Sequence, residues 1–221
     1  MKRSVLLLLP VCLLLLHCSP GRGEEIPLPE PNLKGQVSVE EAIYQRRSTR
    51  DYRKDSLTLG HLSQLLWSAL GLTVDGVTGP TRAHPSAGGL YPLEIFAVVG
   101  KVESLKPGVY RYNPLNHSLL PLGEGDRREE LRRAALGQRC ISDAPLDLVL
   151  AAVFHRTTTK YGERGDRYVL MDLGASIENI FLEAESLGLG TVVVGAFHDE
   201  KVKAVLGIEE PPLAIMPVGR R

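Results

Sequence analysis

The sequence predicts one α+β domain, a sheet covered by helices. Helical and strand patterns alternate irregularly, with few tight hairpins between them. Residues 146–154 and 191–194 are near-continuous apolar runs, as strands buried on both faces should be. Amphipathic stretches separate the runs, and no internal repeat divides the chain.

Taken in order, Ser38, Val39, Glu40 and Glu41 form a capping box, with Ser38 as N-cap and Glu41 reaching back. The helix it opens carries Val39, Ala42 and Ile43 inward and ends at Arg46, Arg47 and Ser48. A second helix covers 58–70, with Leu59, Leu62, Leu65, Leu66 and Ala69 on one face and Gly71 at its end. Residues 91–99 read as a strand, and 109–112 with 118–122 as a short hairpin around Asn113 and Pro114. A charged helix at 126–136 mixes signs at helical spacing, as a solvated face does. The longest helix spans 166–187, ended by Gly188; Asp199 caps a short one closed by Gly207, and 213–218 is a last strand.

Before the domain, Lys2 and Arg3 precede an apolar run of about 12 residues, the pattern of a signal peptide, whereas a membrane-spanning helix needs about 20. Residues 1–23 are therefore expected to direct export. Two readings stand: cleavage after Gly23, or a lipoprotein box that ends at Cys18 and anchors the chain to a membrane through a lipid. Residues 24–37 hold three prolines and little periodicity, and are expected to be an extended tether before a domain at 38–221.

Composition limits the chemistry. The 26 basic side chains balance the 26 acidic ones, so no basic excess marks a nucleic-acid protein. Losing residues 1–23 removes Lys2, Arg3 and Arg22 and no acid, leaving 23 bases against 26 acids. Of three cysteines only Cys140 lies in the domain, which excludes a disulfide scaffold and a zinc module. The histidines show no local ligand spacing, so no metal is expected. Gly188-Leu189-Gly190 follows a helix and precedes a strand, the reverse of a dinucleotide loop. No G-x-S-x-G elbow is present.

Separated segments remain. Arg46, Arg47, Ser48 and Arg50 gather three guanidiniums and a hydroxyl at a helix end, which suits a phosphate as well as a solvated basic corner. Pro85, Ser86, Ala87, Gly88, Gly89, Leu90, Tyr91 and Pro92 precede a strand; their small residues let backbone approach a flat ring, and they also suit an ordinary turn. Gly195 and Ala196 follow a buried run, and Arg220 and Arg221 close the chain.

Together R-R-S-x-R, P-S-A-G-G-L-Y-P, V-G-A-F and the closing P-V-G resemble the FMN-dependent nitroreductase superfamily. The octapeptide, with Lys160-Tyr161-Gly162-Glu163-Arg164, resembles its SagB/ThcOx-type branch of azoline dehydrogenases. The resemblance covers residues 38–221. It implies a mainly antiparallel sheet flanked by helices, and an intertwined homodimer with FMN at the interface. It also implies that Arg46, Arg47, Ser48 and Arg50 hold the phosphate and ribityl chain, with Arg220 or Arg221 closing over it. Pro85, Ser86, Ala87, Gly88 and Gly89 would line the isoalloxazine from the opposite protomer. Gly195 and Ala196 would lie near N5 and O4, and Gln138 at the pyrimidine edge. Lys160 and Tyr161 resemble the branch's catalytic dyad, which removes a C–H proton while hydride passes to the flavin, on a peptide or small-molecule substrate. Thr157, Thr158, Thr159 and Gly162 also fit a solvated loop that merely carries the pair.

The chain is expected to be a lone domain without cyclodehydratase-associated extensions, and export would separate it from NAD(P)H. The expected enzyme therefore oxidises its substrate and passes electrons to oxygen, a quinone or a partner. An NAD(P)H-dependent nitro or quinone reductase and a non-catalytic flavin-binding lipoprotein are the alternatives.

Overall fold

The computed structural model describes residues 24–76 and 79–221. The expected signal peptide, its expected cleavage site and Cys18 lie outside the described residues.

Seven strands form one sheet in the order β1 (Ile26–Pro27), β6 (Ser118–Glu124), β5 (Gly108–Asn113), β4 (Leu93–Val99), β7 (Leu146–Ala152), β9 (Pro212–Arg220), β8 (Leu189–Thr191). Every neighbouring pair is antiparallel. Strand period sends alternate side chains to opposite faces. Ile95 and Ala97 meet α2 (Leu59–Leu70) and α6 (Gly165–Ser186), through Leu62, Leu66 and Ile180. Phe96 and Val98 meet α3 (Arg128–Ala134), α4 (Arg139–Asp143) and α7 (Asp199–Leu206), through Leu131, Ile141 and Val202. Helices cover both faces, so every residue of β7 is buried, as its apolar run requires. Asp147 is the one charged residue in that strand.

Local signals place most helix ends. Ser38 caps α1 (Val39–Gln45) by accepting the Glu41 N–H at 3.1 Å, but the expected box is half made, because the Glu41 carboxylate accepts from Gln45 at 2.8 Å instead of reaching back. Gly188 (φ +66°) and Gly207 (φ +70°) close α6 and α7 in the left-handed region that glycine enters freely. Asp199 begins α7 rather than capping it; His198 holds the N-cap position, and the Asp199 charge faces the positive end of the helix dipole.

Several elements depart from expectation. In α1 only Ala42 is buried, and Val39 and Ile43 point outward, because this two-turn helix lies on the outside of α6. The strand expected at 191–194 is β8, ending at Thr191, with Val194 making a separate bridge to Ile215. The strand expected from Tyr91 begins at Leu93, because Tyr91 turns through φ +45°. A hairpin of β2 (Leu72–Gly76) and β3 (Gly79–Arg82) follows α2. Residues 24–37 are extended at their start but docked: Ile26–Pro27 pairs with Leu119 and Ser118, and Leu28 is buried. The Glu25 carboxylate accepts from Asn113, Asn116 and Ser118, and Asn32 exchanges hydrogen bonds with Gln64. Pro27 is tolerated because β1 is an edge strand, where a missing N–H costs no ladder bond.

Candidate active site

The residues singled out above fall into two groups. The first gathers where α1 ends. At Arg46 the chain leaves helical geometry, and Ser48 bridges Thr191 while the Thr49 N–H donates to the Thr191 carbonyl at 2.8 Å. Tyr52 Oη donates to the carbonyl of Thr49 at 2.7 Å, and lies 3.1 Å from that of Pro217. This stitching fixes the segment that carries Arg46, Arg47 and Arg50 against Thr191. Arg46 lies over the Phe181 ring at 5.2 Å and 3.9 Å from Glu178. Arg47 and Arg50 are exposed, and neither has a carboxylate partner among the described residues. Arg221 forks onto the buried Glu185 at 2.8 and 3.0 Å.

Gly190 lets these parts close up, since a Cβ there would come 2.7 Å from Thr49 Cγ2 and 2.9 Å from Arg221 Cγ. Of the two terminal arginines, Arg221 therefore borders the arginine loop. Arg220 lies near His61, whose pKa is lowered by burial first and by the Arg220 charge second. Four residues beyond Thr191, Gly195 faces open space, and Gln138 Nε2 donates to the Ala196 carbonyl at 2.9 Å. Gln138, Gly195 and Ala196 thus form a second rim, no more than about 14 Å along the chain from Thr191.

The second group forms around the octapeptide. Ala87–Gly89 make a single 3₁₀ turn, with Gly88 at φ +64° and Gly89 at φ +66°. Ser86 Oγ accepts the Tyr91 N–H at 2.9 Å. Beside Ser86 and Ala87 lies Asp172, a buried carboxylate on α6 whose pKa is raised by burial and drawn back down by the nearby Ser86 hydroxyl and Ala87 N–H. Tyr91, non-glycine at φ +45°, is held on every side. Its carbonyl accepts from Arg156 at 3.1 Å, its ring meets His84 edge-on at 5.6 Å, and its Oη accepts the Arg82 N–H at 3.3 Å. Buried His84 has its pKa pushed down to about 4 by burial.

Over this loop sits α5 (His155–Tyr161). Its Thr158 backbone packs on Gly165, where a Cβ would come 2.8 Å from Thr158 Cα. Lys160 and Tyr161 are thereby brought onto Gly88: a Cβ on Gly88 would lie 2.7 Å from Tyr161 Oη and 2.9 Å from Lys160 Nζ. Tyr161 packs edge-on against Tyr168 at 5.0 Å, and Lys160 Nζ lies 5.5 Å from the Tyr161 ring centre. The pair occupies the last turn of a helix, not a loop; Lys160 is exposed and Tyr161 half-buried. A cavity of about 330 Å³ beside it is lined by Pro85, Ser86, Ala87, Tyr168, Met171 and Asp172.

In one chain the two groups stand apart. Asp172 lies against the octapeptide, and Glu185, thirteen residues on along α6, holds Arg221, a helical span of about 20 Å. The sheet gives the same answer. The octapeptide enters at Leu93, while Ser48 sits on Thr191, which is level with Val218, Leu146 and Val99 at the other end.

Asp172 and Arg156 escaped the sequence reading, whereas Tyr168 belongs with Arg167 to the residues that carry the resemblance to the azoline dehydrogenases. A signal existed for Asp172: it shares an inward stripe with Val169, Ser176 and Ile180, where a carboxylate needs a reason.

The model of the nitroreductase family matches residues 43–220. A protein of Methanocaldococcus jannaschii, named as a candidate nitroreductase, is 43% identical over 91% of this chain and 98% of its own. A crystal structure from Ralstonia eutropha, also of a candidate nitroreductase, superposes with a TM-score of 0.75 at 29% identity, covering 89% of each chain. The Escherichia coli microcin B17-processing protein McbC is 28% identical over 73% of this chain, which spans 60% of that protein. The E. coli microcin synthetase complex with truncated pro-microcin bound contains a chain of the same fold, with a TM-score of 0.68 at 24% identity.

Proposed function

Because this chain belongs to the nitroreductase family of oxidoreductases, we propose that it is an FMN-dependent dehydrogenase or oxidase of the SagB/ThcOx type, acting as a homodimer on a peptide or small-molecule substrate. The observation that carries this is the seating of Lys160 and Tyr161 on Gly88. A left-handed glycine turn removes every side chain beneath a general base, leaving room for a flat ring and a substrate.

The residues fit FMN. Exposed Arg47 and Arg50, with Ser48 and the stem of Arg221 beside them, suit a terminal phosphate better than an adenine dinucleotide. Gly195 and Ala196 offer exposed backbone within a ribityl chain's reach, and Gln138 buttresses them. When bound, FMN supplies a two-electron acceptor that takes hydride at N5. Lys160 takes the proton from the substrate C–H, and Tyr161, its ring fixed by Tyr168, orients or relays. Asp172 lies against the loop that would line the ring.

Two chains complete each site. A span of about 20 Å along α6 separates the groups, so one flavin would draw its phosphate rim from one protomer and its glycine turn from the other. Exposed apolar side chains border both groups: Val39, Ile43 and Tyr44 on α1, Leu170 and Met171 on α6. Such a surface suits a partner better than water, and it would supply the desolvation that exposed Lys160 needs.

Stopped-flow reduction of bound flavin by a thiazoline-bearing peptide tests the reading. Lys160→Ala should slow reduction a hundredfold to ten-thousandfold with FMN retained; unchanged reduction overturns the assignment. We also propose export, carried by the sequence of residues 1–23. A mature mass that includes the leader overturns it.

A further inference from the structure

A second cavity, of about 470 Å³, opens on the far side of Tyr91. Three guanidiniums converge on it, from Arg82, Arg111 and Arg156, with Glu94, Tyr91 and Tyr112 between them. Two are matched. Arg111 lies between Glu94, at 3.2 Å, and Glu210; Arg156 reaches Glu94 at 2.7 Å and the Tyr91 carbonyl. Glu25 at the rim is engaged by Asn113, Asn116 and Ser118. Arg82 is different. It is half-buried, lies over the Tyr91 ring at 4.8 Å, and has no carboxylate at ion-pair distance among the described residues. Burial and the neighbouring Arg156 charge both disfavour its cationic form, and Glu94 offsets them only in part. A desolvated guanidinium beside an open cavity favours an incoming anion.

Two residues that line the cavity, Tyr91 and Arg156, belong to the turn and the helix that carry the dyad's surroundings. Tyr91 follows Gly88 by three residues, and its N–H is tied to Ser86 in the same turn. Arg156 and Lys160 are four residues apart on α5, neighbours on one helix face. Leu70, Leu90 and Leu93 give the cavity an apolar side.

We propose that this cavity is a substrate subsite in which Arg82 receives a carboxylate, carried by a peptide-like substrate whose apolar portion lies against the leucines. As a substrate subsite it rests on the dehydrogenase reading above; Tyr91 makes it a positioning device, coupling carboxylate capture to the turn under Lys160.

The test compares N-acetylphenylalanine with its neutral amide by calorimetric titration, with FMN present and absent. The acid should bind ten- to a hundredfold more tightly than the amide. Arg82→Gln should erase the preference, Arg82→Lys keep part of it, and Arg132→Ala, on an exposed helix face, leave it intact. Equal affinity of the unaltered protein for acid and amide overturns the proposal, as does a preference that survives Arg82→Gln. The readout needs no turnover, so a protein that prefers the acid but never takes up FMN would refute the flavin reading and leave the anion site standing.

Discussion

Gly88 lies against Tyr161 so closely that a Cβ on the glycine would stand 2.7 Å from the phenol oxygen. The nearest obstacles are the ends of two flexible side chains, Tyr161 and Lys160, rather than backbone. Gly88→Ala therefore asks two things at once: a left-handed alanine, costing about 1 kcal/mol or more, and displacement of both functional groups. Turnover should fall far more than stability. Thermal unfolding measured beside flavin reduction checks this, and an active, merely destabilised variant would contradict it.

Asp172 lies against the same turn, where the Ser86 hydroxyl and the Ala87 N–H favour its charge against burial. Asp172→Ala removes the carboxylate beside the turn and leaves the Ser86 hydroxyl and Ala87 N–H without this neighbour. Substrate oxidation should drop at least tenfold, while the affinity for inorganic phosphate, read at the distant arginine rim, stays unchanged. Loss of both together would mean global damage rather than a loosened turn.

Asp147 makes a pH prediction. It is fully buried, and neither carboxylate oxygen has a hydrogen-bond partner among the described residues. Burial holds its pKa well above the usual carboxylate range, against a weaker pull from Arg128. Below about pH 3.9 the folded and unfolded chains both carry the proton, so nothing is lost. As pH rises the unfolded chain ionises while the folded one stays neutral, and stability falls until the folded pKa is passed. Asp147→Asn removes this slope. Urea unfolding at pH 3.5 and pH 7 should show the variant gaining on the original protein only at the higher pH. An equal difference at both would contradict the assignment.

For the phosphate rim, Arg50→Ala should weaken FMN binding by about 1.5–3 kcal/mol. Arg132→Ala should change it by well under 1 kcal/mol, because Arg132 pairs with Glu129 on the exposed side of α3. Equal flavin dissociation constants would remove Arg50 from the site.

Much of this architecture was legible in local chemistry. Ser38 as a cap, the apolar run of β7, and Gly188 and Gly207 as terminators act through neighbours in sequence, and each acts as read. Failures came where distant residues decide. Three consecutive threonines argue against a helix at 155–161, yet α5 forms because Thr157 is buried and the hydroxyls of Thr158 and Thr159 return to carbonyls one turn back. Val39 and Ile43 carry the periodicity of a core face on a helix whose outer side is bare in the single chain. The motif residues were recognisable and the resemblance implied their division between protomers, but their distance apart within one chain was not legible, because strand register and the length of α6 create it.

A site shared between protomers also predicts that purified protein is yellow and dimeric. Sedimentation at micromolar concentration should find flavin only in the dimer, and a flavin-loaded monomer would be incompatible with a 20 Å separation, itself about the length of thirteen helical residues.

The most direct measurement is complementation of flavin binding. Arg50→Glu disables the phosphate rim and Gly88→Trp blocks the glycine turn, so neither folded homodimer should retain FMN. Co-expressed chains pair at random, half the dimers are mixed, and each mixed dimer holds one site built from two intact groups. Flavin should therefore return to about a quarter of the unaltered protein's content, as two-fold symmetry requires. If the mixture stays colourless while both variants fold and pair, each site lies within a single chain and the shared flavin site is wrong.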